Sequence, residues 1–383
     1  MSMLRGDGEG AQDPPRPPSW VVYVDLDAYY VSCEVRDRPE LAGQEVIVGP
    51  PPEAGITRGV VLSASYEARR HGVKSAMPAQ VAARLAPQAT WIGPDFAKYE
   101  RVAGEVRTLL RRFSVDVVPF SIDEAAMMLG EVEADVARSV AEEVQGTLRR
   151  ELGLPASFGV STSRVVAKIA TDCAKPGGIV VVRPEEVAEF LAPLSVGAIP
   201  GVGPKTESVL EALGFHTIGE LARGRPRDLG RTLGSFGREL LSLARGAPVE
   251  RREVESGPRA RSSDHTFERD SSSWEEIVPV LDQMAEDLGR SLAVEGYRYG
   301  GVSVAFRWGD FSRSQHGSVL PGAGEGPAPI RGAARRLGKE LWDRSGSSGP
   351  RSVRTISVRA ERLVARSRRQ ALLGEFDPPL TRP

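Results

Sequence analysis

Val24-Asp25-Leu26-Asp27-Ala28-Tyr29-Tyr30 and, nearly a hundred residues later, Pro119-Phe120-Ser121-Ile122-Asp123-Glu124 are the two stretches on which the reading of this chain turns. Asp25 ends the apolar run Trp20 to Val24, which predicts a buried strand. Asp123 and Glu124 follow a second apolar run, Val115 to Phe120, interrupted only by Asp116. An ionised acid at a buried strand must be paired or must ligate a cation. Three carboxylates converging at strand ends make an oxygen-rich site for a hard divalent cation such as Mg2+. Two such ions, roughly 3.5 to 4 Å apart, can hold both the attacking and the leaving oxygen of a phosphoryl transfer. Any one of the acids alone could be a strand cap or a surface ion pair; the set together points to metal. Asp27 falls on the opposite strand face from Asp25 and is read as structural.

The chain has 383 residues, enough for three or four small domains. Its apolar and charged fractions are those of an ordinary globular protein. No apolar run approaches the roughly 20 residues of a membrane span. Residues 1 to 18, rich in Gly, Pro, Asp and Arg, read as a disordered tail rather than a signal peptide, so the expected location is cytoplasmic, with no membrane partner. Two cysteines, Cys33 and Cys173, cannot build a disulfide framework, and four scattered histidines argue against zinc. The net charge of −1 conceals an uneven distribution. Between 351 and 369 stand seven arginines and one acid, Glu361, around the strand-like run Val353 to Arg359. Arginines 351, 354 and 359 on one face, with Val and Ile on the other, predict a phosphate-tracking surface. The competing reading is a solvated edge strand.

Alternating elements after residue 19 predict a central sheet with a small inserted subdomain. Strands are expected over 19 to 28, Glu45 to Val48, Val60 to Ser63, Pro155 to Val160 and Ile179 to Val182. Helices are expected from Tyr29, from Ser163 to Cys173 and from Ala134 to Glu151. A helical module follows to about 248, then a charged Pro/Gly-containing linker over 250 to 263. Beyond it the pattern predicts a helix Trp274 to Ala293, a strand Gly301 to Trp308, a strand near Gln315 to Leu320, a helix Arg331 to Trp342 and the basic strand.

The wording around the acids resembles Y-family (translesion) DNA polymerases, nearest the bacterial polymerase IV branch. The likeness is carried by Asp25-Leu26-Asp27-Ala28-Tyr29-Tyr30-Val31-Ser32-Cys33-Glu34 and Ser121-Ile122-Asp123-Glu124-Ala125. Further matches are Ser63-Ala64-Ser65-Tyr66-Glu67-Ala68-Arg69, Gly72 to Pro78, Gly159-Val160-Ser161, Ala167 to Ala170, Ala174 to Gly178 and Ile199 to Gly203. They run in the family's order from about residue 20 to about 245, and beyond 260 the likeness rests on pattern. It implies an α/β (α+β) multidomain right-hand polymerase. Residues 19–28 and 95–182 would form a ferredoxin-like palm, 29–94 small fingers, 183–249 a helical thumb, 264–365 a little finger, and 366–383 a tail.

The resemblance also implies roles. Asp25, Asp123 and Glu124 are catalytic metal ligands, with the Leu26 carbonyl as a further oxygen for two Mg2+ ions. Tyr30 is a steric gate beneath the sugar, whereas Tyr29 fits a core aromatic. Ser63, Tyr66, Arg69 and Lys175 bind the triphosphate; Arg69 offers a bidentate fork, and a helix starting near Ser65 would turn its N-terminus toward an anion. Gly201, Gly203 and Lys205, within Pro200 to Thr206, form a helix-hairpin-helix turn on a DNA phosphate. Gln370, Leu373 and Phe376 resemble a peptide that docks on a sliding clamp. Expected partners are primer-template DNA, deoxynucleoside triphosphates and the clamp, with the protein acting as a monomer. One departure stands out: where the family commonly has Tyr-Leu-Asp after the second acidic motif, this chain has Ala126-Met127-Met128. The alternatives are a non-catalytic DNA-bound adaptor, which would lose the acids, and another palm-bearing enzyme such as a nucleotide cyclase, which would not need the hairpin, the gate or the basic C-terminal domain.

Overall fold

The computed structural model describes residues 18–51, 58–246, 258–346 and 352–365, in two compact units that divide at Arg251. In the first, a five-stranded sheet has the order β5-β6-β1-β7-β8. Its strands are β1 (Ser19–Leu26), β5 (Asp116–Pro119), β6 (Glu124–Glu131), β7 (Ala156–Ser161) and β8 (Ile179–Val182). β1 is central and antiparallel to both β6 and β7. Strand alternation then divides its side chains. Val22, Val24 and Leu26 pack against α4 (Phe96–Leu110) and α5 (Ala134–Thr147), in a core with Tyr99, Val102, Ala137 and Val144. Val21 and Tyr23 point to the other face, which α6 (Arg164–Ala174) covers through Ala167. The sheet is therefore closed on both sides.

Between β1 and α4 lies the small subdomain. It contains α1 (Tyr29–Asp37), β2 (Val46–Val48), β3 (Ser63–Ala64), α2 (Tyr66–Arg70), α3 (Ala79–Leu85) and β4 (Thr90–Ile92). Its three strands order β3-β2-β4 around Ile47, Val61, Ala64, Ala68 and Ala82. After β8, the helices α7 (Val187–Leu191), α8 (Pro204–Ala212), α9 (Ile218–Ala222) and α10 (Pro226–Ala244) enclose Leu210, Leu221, Leu229 and Leu240. Val166, Ile169 and Ala170 of α6 join that same core, so α6 bridges sheet and helical module.

The second unit is a four-stranded sheet, order β11-β10-β12-β9, with two helices on one face. It comprises β9 (Ala260–Ser271), α11 (Trp274–Val294), β10 (Tyr297–Trp308), β11 (Arg313–Gly324), α12 (Pro327–Gly346), β12 (Val353–Glu361) and the short β13 (Val364–Ala365). Val302, Val304, Phe306 and Trp308 alternate toward Ile277, Leu281, Ala334 and Leu337. Among the described residues, no helix is long and apolar enough to cross a membrane.

One expectation needs correction. The linker expected over 250–263 ends earlier, because Ala260, Arg261, Ser262 and Ser263 are paired with β12. This edge strand buries little and so lacks the apolar alternation that would reveal it. The second apolar run, Val115 to Phe120, forms the edge strand β5, and Val115 is fully exposed. The ladder of β12 shifts register between Val353 and Thr355, leaving Arg354 at the irregularity, while Arg359 stands in the regular part of the strand opposite Ser303.

Candidate active site

The site forms where β1 ends. Asp25, at the last turn of alternation before Leu26, stands directly opposite Glu124 across the β1–β6 ladder. Both side chains lie on the face covered by α6. That helix sits very close because Gly159 has no side chain: a Cβ there would fall 1.9 Å from the Ala167 carbonyl oxygen. Close seating places Lys168 over the acids. Its Nζ donates to Glu124 Oε1 at 2.5 Å and lies 3.4 Å from Asp25 Oδ2, while Lys175 Nζ, just past the end of α6, donates to Asp25 Oδ2 at 2.6 Å. Asp172, half-exposed, holds both ammonium groups from outside, at 3.3 and 3.4 Å. Tyr23 OH donates to the other Glu124 oxygen at 2.8 Å.

Burial and pairing pull these groups in different directions. Asp25 is almost fully enclosed, and burial pushes its carboxyl from 3.8 up to about 6 despite the opposing pull of Lys175. Burial acts on Glu124 too, but hydrogen bonds from Lys168 and Tyr23 outweigh it and hold Glu124 below the usual carboxylate range. Two carboxylates facing each other cannot both ionise freely without cations, and here the lysines supply them.

Asp123 is not part of this pair. Its Oδ1 accepts from Ser121 Oγ at 2.6 Å, and its carbonyl accepts from the Leu26 amide at 3.0 Å. Its charge is felt instead by Tyr29 and Tyr30, whose hydroxyls it helps to hold protonated, after burial. Among the described residues no group of three acids forms a ready metal cage. The donor set nevertheless fits a hard divalent cation. Asp25 and Glu124 offer anionic oxygens already satisfied by cations, and Asp123 and the last residue of β1, Leu26, adjoin them.

The β1–α1 turn carries the aromatic pair. Ala28 takes a left-handed conformation, φ 46°, and launches α1. Tyr29 is buried with its OH donating to the Tyr99 carbonyl at 2.6 Å; Tyr30 is only half-buried, its ring 4.7 Å from that of Tyr99 and 6.3 Å from that of Phe96. Across from them, Ser63 is buried in β3, and Ser65 Oγ accepts from the Ala68 amide. That bond uses one of the N-terminal donors of α2, which has only five residues, so the helix terminus offers an anion less than the sequence suggests. Tyr66 OH donates to Asp27 Oδ1 at 3.1 Å, and the Arg69 guanidinium stacks over the Tyr66 ring at 4.8 Å. Asp27 is buried and also accepts from Ser157 Oγ and the Gly177 amide, both at 2.9 Å, which ties three segments together. Lys175, expected on a loop facing phosphate, instead reaches into the carboxylate pair.

In the helical module Gly201 has φ +94°, where a side chain would be strained, and Gly203 caps α8 at Pro204. Gly201, Gly203 and Lys205 are all exposed. Between this turn and the carboxylate sheet lies a cleft of about 260 Å³ lined by Tyr23, Phe120, Arg164, Lys168, Gly201 and Glu239. Tyr23 and Phe120 stack at 5.6 Å along one wall.

In the second unit, the sheet face away from the helices carries Arg307, Arg313 and Arg359 with Asp264 and Glu361. Arg359 is exposed there, 3.8 Å from Glu361. Arg354 stacks on exposed Phe311 at 4.7 Å. Arg351, Gln370, Leu373 and Phe376 lie outside the described residues.

Two residues of the site were not assigned a role from sequence: Lys168 and Tyr23. The signal for Lys168 was present, since Lys168, Asp172 and Lys175 recur at helical spacing on an otherwise apolar helix. Tyr23 reads as one more apolar strand residue, and only the ladder opposite Ala126 brings it to Glu124.

Comparison with known proteins gives a consistent match. The impB/mucB/samB family matches residues 24–172, its C-terminal domain residues 258–373, and its HHH motif residues 184–215. A DNA polymerase IV of Methanoculleus marisnigri is 38% identical over 93% of this chain and 98% of its own length. Another from Stenotrophomonas maltophilia is 42% identical over 69% of this chain and 72% of its own. Among solved structures, a Y-family DNA polymerase chimera of Dbh and Dpo4 superposes with a TM-score of 0.79 over 91% of this chain and all of its own, at 24% identity. An insertion ternary complex of Dbh DNA polymerase gives 0.63 over the same share of this chain and all of its own, at 25% identity.

Proposed function

The chain belongs to the impB/mucB/samB family, Y-family DNA polymerases that act in translesion synthesis and repair, and on that premise we propose that Asp25, Asp123 and Glu124 are its metal-binding catalytic residues. The observation that carries the reading is the Asp25–Glu124 pair, facing across one ladder with Asp123 adjoining. The reaction is attack of a primer 3′ hydroxyl on the α-phosphate of a deoxynucleoside triphosphate, with pyrophosphate leaving. Bound Mg2+, two ions in the full assembly, supplies Lewis-acid stabilisation of the charge that develops on the phosphate. Tyr23 orients Glu124 by holding Oε2, and Oε1, which accepts from Lys168 in this structure, would be the oxygen offered to the ion. Tyr30 lies under the sugar and excludes a 2′-hydroxyl. Tyr66 and Arg69 take phosphate oxygens, Ser63 lines the same pocket, and Lys175 joins them when it leaves Asp25.

In this reading the first unit is palm, fingers and thumb, and the second is a little finger whose sheet begins at Ala260. The turn at Gly201, Gly203 and Lys205 and the open face around Arg359 hold primer-template DNA by its phosphates. Gln370, Leu373 and Phe376 dock on a sliding clamp. The protein works as a cytoplasmic monomer, without proofreading of its own. The adaptor reading has no observation in its favour, since all three acids are present.

Primer extension tests this. Glu124→Gln and Asp123→Asn should each lower extension by about a thousandfold or more, several kcal/mol of transition-state stabilisation. DNA binding should stay within a few-fold, because phosphate contacts are untouched. Near-normal extension by either variant would remove the catalytic assignment. Tyr30→Ala should raise ribonucleotide use, read as a ratio of kcat/KM values, and Tyr29→Ala should do so much less.

A further inference from the structure

The acid pair in the free protein is not an open anionic site. Each acid already holds an ammonium group: Lys168 on Glu124 Oε1 at 2.5 Å, and Lys175 on Asp25 Oδ2 at 2.6 Å. Lys168 also lies 3.4 Å from Asp25, so a single side chain spans both carboxylates. Its position is built rather than incidental. The missing Cβ of Gly159 sets the depth of α6, and the Lys168 ammonium lies 5.3 Å from the Tyr23 ring centroid. The oxygens these ammonium groups occupy are those a divalent cation would need. A partner stands ready just outside: Asp172 Oδ1 is within 3.4 Å of both nitrogens and is about half-exposed.

We propose that Lys168 is a built-in competitor of the divalent cation, holding Asp25 and Glu124 in a neutralised state and withdrawing to Asp172 when the cation enters. Lys168 is thus a positioning residue for the metal site and not a group that touches the reacting atoms. The step is an exchange of ion pairs: no bond is made or broken, and the ammonium keeps its proton. The exchange keeps the free enzyme weakly metallated. An incoming triphosphate tips it by bringing its own negative charge, with which Lys175 can pair after leaving Asp25. This inference rests on the metal-dependent reading of the same acids.

The test is Mn2+ binding to the full-length, DNA-free protein, followed by the electron-spin-resonance signal of the free ion. Lys168→Met should bind Mn2+ at least about tenfold more tightly than wild type, because a unit positive charge is removed from within a few ångströms of a dication. Lys168→Arg keeps the charge and should show no such gain. Asp172→Asn, a change at an exposed position, should weaken binding a few-fold by removing the place to which the ammonium retreats. In the Lys168→Met background the same Asp172→Asn change should have little effect, a coupling that a general loss of negative charge would not produce. Should Lys168→Met prove unstable without metal, its melting temperature should rise with Mn2+ by more than the wild type's does. Equal or weaker Mn2+ binding by Lys168→Met overturns the proposal, as does an Asp172→Asn effect that is the same in both backgrounds. Adding Glu124→Gln separates the two readings. If it abolishes the ion's binding while Lys168 makes no difference, only the competition fails; if it changes nothing, the metal assignment of these acids fails with it.

Discussion

The two large sheets of this chain are built from similar parts and handle charge in opposite ways. The first is covered on both faces, by α4 and α5 on one and α6 on the other, and its acids stand at the end of a buried central strand. Every charge there has a specific partner within hydrogen-bonding reach. The second sheet is covered on one face only. Its open face mixes Arg307, Arg313 and Arg359 with Asp264 and Glu361, and the ion pair Arg359–Glu361 there is loose at 3.8 Å. Enclosure makes unpaired charge expensive, so the first sheet fixes each ion in place, whereas water lets the second leave its cations available to a polyanion.

Glycine replacement should break the contrast most sharply. Gly159→Ala drives a Cβ to 1.9 Å from a helix carbonyl, and nothing in that contact is a flexible side chain end. A loss of about 3 kcal/mol or more is expected in urea unfolding. Gly317→Ala, on the open face, comes within 3.0 Å of the Ser303 Cβ, with the Val302 oxygen and Ser303 Cα at ordinary contact distance, and should cost less than about 1 kcal/mol. Comparable losses for the two would show that coverage is not what distinguishes the sheets.

A smaller effect follows from the raised carboxyl of Asp25. Between its ordinary value of 3.8 and about 6, the folded chain retains a proton that the unfolded chain has released. Stability relative to Asp25→Asn should therefore fall as pH rises through that window and level off above it, by about 3 kcal/mol at most. Urea unfolding of metal-free protein, with chelator present, reads this difference. Parallel stability curves for the two proteins would mean that burial is not governing Asp25. No such pH-dependent gap is expected for Arg359→Ala on the exposed sheet.

The smallest effect belongs to the open face. Arg359→Ala should weaken binding to DNA of any sequence and reduce the salt slope by about one unit. Arg354→Ala should change the slope less, because that guanidinium is held on the Phe311 ring at the register shift. A larger change for Arg354 than for Arg359 would reverse the assignment of the surface.

These same differences explain what could be read from sequence. Elements with a buried face announce themselves: the run Trp20 to Val24, the helix Trp274 to Val294 and the strand Tyr297 to Trp308 all carry an apolar period. β9 does not, because a twelve-residue edge strand rich in Ser, Asp, Arg and Glu buries little, and its first four residues fall within the expected linker. The strand Val353 to Glu361 was legible as a strand, but the register shift within it was not. A register shift is a property of two strands together, and one of those strands gives no hint of it. In the site, Asp25 and Glu124 were legible from their motifs. That Asp123 would turn to Ser121 is a matter of the local β5–β6 turn, whereas the reach of Lys168 onto the acids depends on how close α6 lies, which a single glycine decides.

The pairing of Asp25 with Glu124 also has a consequence for the order in which the chain can be built. β1 leaves the ribosome about a hundred residues before β6, and β7, its other neighbour, and α6, which brings the lysines, come later still. Until β6 docks, Asp25 has no opposing acid, and until α6 docks neither acid has its counter-ion. The site therefore arises only through contacts of long sequence separation, the kind that form slowly and last. A chain interrupted before residue 124 can hold a complete β1 and α1 and still lack the Asp25–Glu124 pair. Competence arrives in one step, near the end of assembly of the first unit.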